Sequence, residues 1–273
     1  MLARRMLVGF ALLALVGSAG QAAVVTPTYT IQELVDSYGG ILMVEGQQFI
    51  FDEFSVTTVA SGPAVGPGPA DIAVTGVTAI NQFGIQEVGL RFNGGWSAAD
   101  GGSVDTTIRF RAVSGMTNEN IPLLWTDNSM WLSAFGVTGN GIVQITENVW
   151  ADDPGETTAP RLITVPPKDV FYVHPGLKKT SDHVDFVRDE LEPDEPQTIW
   201  VVKDIHVAAA PNYDGSPIPG TDLVSTIQLP PTGNVVGMSE FYQTFSQTPL
   251  PEPATMGLIA LGGAVLLARR RRR

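Results

Sequence analysis

Three histidines, His174, His183 and His206, and 28 carboxylates are the side chains of this sequence that could move protons or hold a cation. The densest grouping is Ser181-Asp182-His183-Val184-Asp185. Strand alternation there sets His183 beside Asp185 on one face, an arrangement suited to cation binding or proton transfer. Asp204 and His206 share a face by the same spacing. In both places the plainer reading is a solvated strand edge next to a turn. No two histidines have the His-x-x-x-His spacing of a metal-binding helix. The loop Asp152-Asp153-Pro154-Gly155-Glu156 offers oxygen ligands, so Asp152, Asp153 and Glu156 are candidates for a structural calcium ion. The order lacks EF-hand alternation, and an acidic turn after the strand ending at Trp150 is the plainer reading. Trp96, Trp125, Trp131, Trp150 and Trp200 could stack on sugar rings where exposed. Trp131, however, alternates in phase with Phe135 and Val137, which favours packing on a strand face.

Other chemistries are absent from the pattern. There is no cysteine, which removes disulfides, thiol nucleophiles and thiolate metal sites together. No Gly-x-Ser-x-Gly elbow, Gly-x-x-x-x-Gly-Lys loop or Gly-x-Gly-x-x-Gly turn after a strand occurs. A glycoside hydrolase needs only two suitably spaced carboxylates, so that class stays open. Between Arg5 and Arg269 the chain has nine basic and 28 acidic residues, a net charge near −19. Such a surface repels nucleic acid and other polyanions and attracts divalent cations weakly.

The elements that must position these residues are mostly strands. Thr30-Ile31-Gln32-Glu33 has the form of a capping box and predicts one short helix, stopped by Gly39-Gly40. Beyond it the hydrophobic period is two. Val104, Thr106, Ile108, Phe110 and Ala112 alternate against Asp105, Thr107, Arg109 and Arg111. Trp131 to Val137, the turn Gly139-Asn140-Gly141 and Ile142 to Trp150 predict a hairpin. Ile199, Val201, Ile205 and Val207 share a face interrupted by Lys203, and Leu223–Leu229 and Val235–Phe245 read as closing strands. Short strands with glycine- and proline-rich turns predict an all-β, antiparallel β-sandwich, with a jelly roll as one form of it. Ser61–Pro69 reads as a flexible insert and 189–196 as a solvated acidic loop.

The two ends carry a different kind of information. Arg4-Arg5, an apolar run from Met6 to Val16 and small residues to Ala23 have the order of a signal peptide, with cleavage near Ala22 by signal peptidase. At the other end, Pro251-Glu252-Pro253 precedes an apolar stretch, 254–268, and five arginines, Arg269–Arg273. Fifteen helical residues cover about 22 Å, short of the roughly 30 Å hydrocarbon core. The arginines orient the C-terminus to the cytoplasm, and snorkelling with local thinning makes up part of the deficit.

Those three C-terminal parts in that order resemble the PEP-CTERM sorting signal. The resemblance implies processing by an exosortase-type membrane enzyme of a Gram-negative bacterium that makes exopolysaccharide, with Pro251, Glu252 and Pro253 as the recognised residues. The Thr30–Gly40 opening, Phe49–Phe54, Leu90–Trp96, Asp204-Ile205 and Gln243–Gln247 also resemble a recurrent group of PEP-CTERM proteins of unassigned role. The expected organisation is a signal peptide at 1–22, a sandwich domain at 23–248 and a sorting tail at 249–273. The expected function is that of an exported, non-enzymatic surface or matrix protein without a cofactor, held transiently in the membrane, whose partners include exopolysaccharide or other matrix proteins. A secreted carbohydrate-binding module is the alternative, and a glycoside hydrolase stands behind it.

Overall fold

The computed structural model describes residues 23–37, 42–44, 49–80, 86–115, 123–156, 162–164, 167–186, 198–210 and 233–249. The signal segment 1–22, the 189–196 loop, the expected strand at Leu223–Leu229 and the tail from Leu250 lie outside them.

Strand alternation carries through to two antiparallel sheets that bury their apolar faces against each other. In chain order the strands are β1 (Ala23–Thr30), β2 (Leu42–Val44), β3 (Phe49–Ser61), β4 (Ala64–Val65), β5 (Ala73–Ile80), β6 (Gln86–Ala99) and β7 (Ser103–Val113). They continue with β8 (Leu123–Thr138), β9 (Gly141–Trp150), β10 (Lys168–His174), β11 (Lys178–Lys179), β12 (Ser181–Asp185), β13 (Thr198–Ala209) and β14 (Val235–Pro249). The first sheet runs β1-β5-β6-β14-β8-β12, with β4 beside β6; the second runs β11-β10-β9-β13-β7-β3-β2. The helix α1 (Ile31–Asp36) forms where expected, because Thr30 Oγ1 accepts from the Glu33 N–H while the Glu33 carboxylate accepts from the Thr30 N–H. Ile31 and Leu34 of this helix enter the core. The Ser61–Pro69 insert is more ordered than its composition suggested: it contains β4 and runs into a 3-10 turn at Pro69–Asp71.

Between the sheets an aromatic core gathers Phe51, Phe92, Phe110, Phe241, Phe245 and Trp96, with Phe92 stacked on Phe241 at 4.8 Å. The Trp96 indole N–H donates to Thr106 Oγ1 at 3.0 Å, so the buried ring leaves no stranded donor. Trp131 departs from the sequence expectation. Its ladder partner is Tyr242, whereas Phe135 pairs with Met238, and irregular register between them leaves Ser133 of β8 and Ser239 of β14 each outside the ladder. The irregularity inverts the alternation: Trp131 faces outward, and Phe135 turns toward the core.

Candidate functional site

Three groups of polar residues stand out, and the strand registers explain each. The first is on the outer surface of the first sheet. β12 pairs with β8 so that His183 lies opposite Ser129 and Asp185 opposite Asp127. The alternation that put His183 and Asp185 on one face therefore also brings in Asp127, which sequence reasoning missed because it lies 56 residues away. One ligand atom from each of the three lies within 4.8 Å of the others. His183 Nε2 is 3.5 Å from Asp185 Oδ1, and Nδ1 is 3.0 Å from Ser129 Oγ and 3.8 Å from Asp127 Oδ1. Burial pushes the Asp127 carboxyl above its ordinary value, with Glu87 adding to the rise while Ser246, His183 and Thr126 oppose it. Two carboxylates and an imidazole at these distances could hold a divalent cation or pass a proton.

Farther along the same surface Trp131 stacks on Tyr242, ring centroids 5.0 Å apart and planes within 6°. Ser133 Oγ donates to Glu240 at 2.7 Å, and Arg91 lies 3.9 Å from the same carboxylate. The result is a half-buried aromatic pair bordered by one charge of each sign. Burial raises the Tyr242 phenol, and the neighbouring Glu240 charge raises it further.

The remaining candidates sit apart. Asp153 Oδ1 accepts from Arg109 and from the Gly155 N–H, at 2.5 and 2.6 Å. Arg109 lies over the Trp200 ring, 4.4 Å from its centroid. A guanidinium thus stands at the carboxylate of the Asp152, Asp153 and Glu156 loop. Asp204 accepts from Thr107, and His206 contacts Asp105 at 2.6 Å, each across to β7, so their shared face serves cross-strand pairing. His174 Nδ1 meets the Gly139 carbonyl at 2.5 Å.

The third group is inside. Lys168 on β10 and Lys203 on β13 both pair with Glu147 on β9, placing three charged residues side by side on the inner face of the second sheet. All three side chains are fully buried. Lys168 Nζ is 2.9 Å from Glu147 Oε1, and Lys203 Nζ binds Glu147 Oε2 and the Gln243 carbonyl oxygen. From the facing sheet, Asn128 accepts from Lys168 through Oδ1 and donates through Nδ2 to Glu147 Oε1 at 2.6 Å; Gln243 Nε2 donates to the same oxygen at 3.2 Å. Burial lowers Lys168 to about 8, with Glu147 opposing the fall and Lys203 adding to it. It lowers Lys203 too. Burial pushes Glu147 upward, and the two ammonium groups more than offset this, leaving its carboxyl below the ordinary range. Of this cluster the sequence had signalled only Lys203, as a break in an apolar face. Glu147, Lys168 and Asn128 occupy inward phases as well, beside Ile145, Val170 and Met130 respectively.

Finally, β14 is an interior strand of its sheet, held between β6 and β8, and its last ladder pair is Pro249 with Leu123. One residue, Leu250, separates it from Pro251-Glu252-Pro253. Residues 249–273 match the PEP-CTERM protein-sorting motif. That motif implies export and transient membrane anchoring, with an exosortase-type enzyme as the kind of partner. Among the described residues no helix is long and apolar enough to cross a membrane; the 254–268 stretch is not one of them. No curated protein matches the chain. One solved structure, a carbohydrate-binding module, TmCBM61, in complex with beta-1,4-galactotriose, aligns over 70% of this chain and 87% of its own at 13% identity. Its TM-score is 0.26, too low to carry an argument about fold or ligand.

Proposed function

We propose that this chain is an exported, non-enzymatic β-sandwich whose sorting tail delivers it to the cell surface or the extracellular matrix. The observation that carries the reading is the motif at 249–273 following almost directly on β14. Removal of the tail then releases a domain that ends at an interior strand, with no intervening linker. The test is mass spectrometry of released protein from strains with and without the sorting enzyme. Loss of the C-terminal arginines only where the enzyme is present supports the reading. An intact Arg269–Arg273 in released protein defeats it.

A second reading, that the domain binds polysaccharide, is favoured by the Trp131–Tyr242 pair with Arg91 and Glu240 beside it. Aromatic rings supply apolar area for a sugar face, and the flanking charges supply hydroxyl partners. Electrophoretic retardation in polysaccharide gels, lost in Trp131→Ala with the fold retained, is the expected result. Equal mobility of the two proteins in every gel rules this reading out.

A further inference from the structure

The interior cluster has one positive charge too many. Glu147 is a single carboxylate facing two ammonium groups, and none of the three side chains reaches solvent. Burying an unbalanced charge is strongly unfavourable, so a core that retains one calls for an explanation. The amide of Asn128 provides it. Its carbonyl oxygen meets the Lys168 ammonium, and its NH2 group meets Glu147 Oε1, which lies 2.9 Å from Lys168 Nζ. An amine, a carboxamide and a carboxylate that touches both nitrogens are the components of a transamidation.

We propose that Lys168 and Asn128 become joined by an intramolecular amide bond between Nζ and Cγ, with Glu147 transferring the protons. Lys168 enters as an ammonium, Asn128 as a primary amide and Glu147 as a carboxylate. Glu147 removes one proton from Nζ, and the freed amine attacks Cγ. The Nζ–Cγ bond forms and the Cγ–Nδ2 bond breaks. A second Nζ proton reaches the departing nitrogen, which leaves as ammonia, and the third stays on the new amide. The proton first taken by Glu147 can depart with the ammonia as ammonium, restoring the carboxylate. Nothing is oxidised or reduced, and no co-reactant is consumed.

Several features favour this step over the usual inertness of amides. The reacting groups are held in contact by strands of opposite sheets, which replaces a bimolecular encounter with a fixed geometry. Burial brings the Lys168 ammonium down to about 8, so the nucleophilic free amine is accessible near neutral pH. The product cures the imbalance, since a neutral amide replaces the ammonium of Lys168 and leaves Glu147 paired with Lys203 alone. The bond ties β8 of one sheet to β10 of the other, a covalent brace in a chain that has no cysteine.

Tryptic mapping of the full chain, purified in its folded state, tests this directly. Cleavage after Arg111, Arg161 and Lys178 places Asn128 in peptide 112–161 and Lys168 within 162–178. The expected result is a single branched species, uncut after Lys168 and lighter than the two separate peptides by one ammonia, with fragment ions locating the junction at the two named residues. Recovery of 162–168 as a free peptide alongside an unlinked 112–161 overturns the proposal. So does a junction at Lys203 and Gln243 in its place. Lys168→Arg keeps the charge but should abolish the branched species completely. Glu147→Gln should abolish it as well, and full linkage in that variant would remove Glu147 from the mechanism. The wild-type map decides the main claim even where a variant fails to fold.

Discussion

Replacing Lys203 with methionine turns the charge count of the core into a measurement. In the linked protein Lys168 is a neutral amide, so among the described residues Lys203 is the one cation left bonded to Glu147, and both groups are fully buried. Lys203→Met keeps the side-chain length but leaves a carboxylate without a counter-charge. Breaking a buried pair from one side costs about 3–5 kcal/mol, a large part of the ~5–15 kcal/mol by which a domain is stable. With a urea m-value of about 3 kcal/mol/M for a domain of this size, the midpoint should fall by roughly 1 to 2 M at neutral pH. The deficit should also shrink on acidification. Glu147 is held below its ordinary value by its ammonium neighbours against the upward push of burial. Without them its folded pKa rises above the unfolded one, so the cost is full at neutral pH and is relieved as pH falls through the raised value. Urea titrations of wild type and variant at several pH values between about 5 and 8 supply the comparison. An unlinked core behaves oppositely, because the same substitution would remove the surplus charge and leave Glu147 balanced by Lys168. A midpoint that stays level or rises in Lys203→Met therefore refutes the reasoning.

Asn128→Ala blocks the link and leaves Lys168 ionisable. Its folded pKa of about 8 lies below the ordinary 10.5, so the unfolded chain binds more protons between those values and stability rises with pH across that window, by up to about 3 kcal/mol. Lys203 adds a rise of the same sign in both proteins, so the expected outcome is a steeper profile in the variant; parallel profiles in urea melts would count against a linked wild type. The same variant loses the closure of a 40-residue separation, worth about 4 kcal/mol in the chain-entropy account of cross-links. Thr30→Ala removes the cap of α1 and should cost about 1 kcal/mol, a fall of about 2–4 °C in the melting temperature; an unchanged melting point would mean that this helix contributes nothing to the cooperative unit.

The legible parts of this protein are those whose causes are local in sequence. The capping box of α1 acts over three residues, the β8–β9 hairpin turns on Gly139-Asn140, and the alternation of β7 is uninterrupted. Each requirement is met within one element. The outward position of Trp131 was not legible, because the faces of β8 exchange at Ser133 in an irregularity shared with Ser239 of β14, which appears only when the two strands pair. Nor was Asp127 legible as a neighbour of His183, since β12 had first to dock on β8. The interior cluster falls between these cases. Asn128, Glu147, Lys168 and Lys203 each interrupt an apolar phase and so could have been flagged singly. Their meeting depends on two strand pairings and the packing of two sheets, which no single window contains.

The sheet order also places the two ends of the described domain relative to each other. The start of β1 pairs with the end of β5, Ala23 opposite Thr78, and β5 ends where β6 begins. The start of β6 lies against the end of β14, Glu87 opposite Ser246. The start of β1 and the end of β14 therefore lie at the same end of the strands of one sheet, three strand spacings or about 14 Å apart. The sorting motif at 249–273 begins at that end, on β14. At the opposite end of the strands, Asp100 and Asn234 tie neighbouring connections together. Asp100 and Asn234 bond each other there through backbone and side chain, and Asn234 also reaches Asn140 and Ala210. Pulling on the tail loads β14 along its length against β6 and β8 together, so the ladder bonds share the load in shear. β8 is also the strand that carries Asn128, and a bond from there to β10 would pass the load into the second sheet. Such a brace would start from a strand directly paired with β14, the strand that leads into the sorting motif.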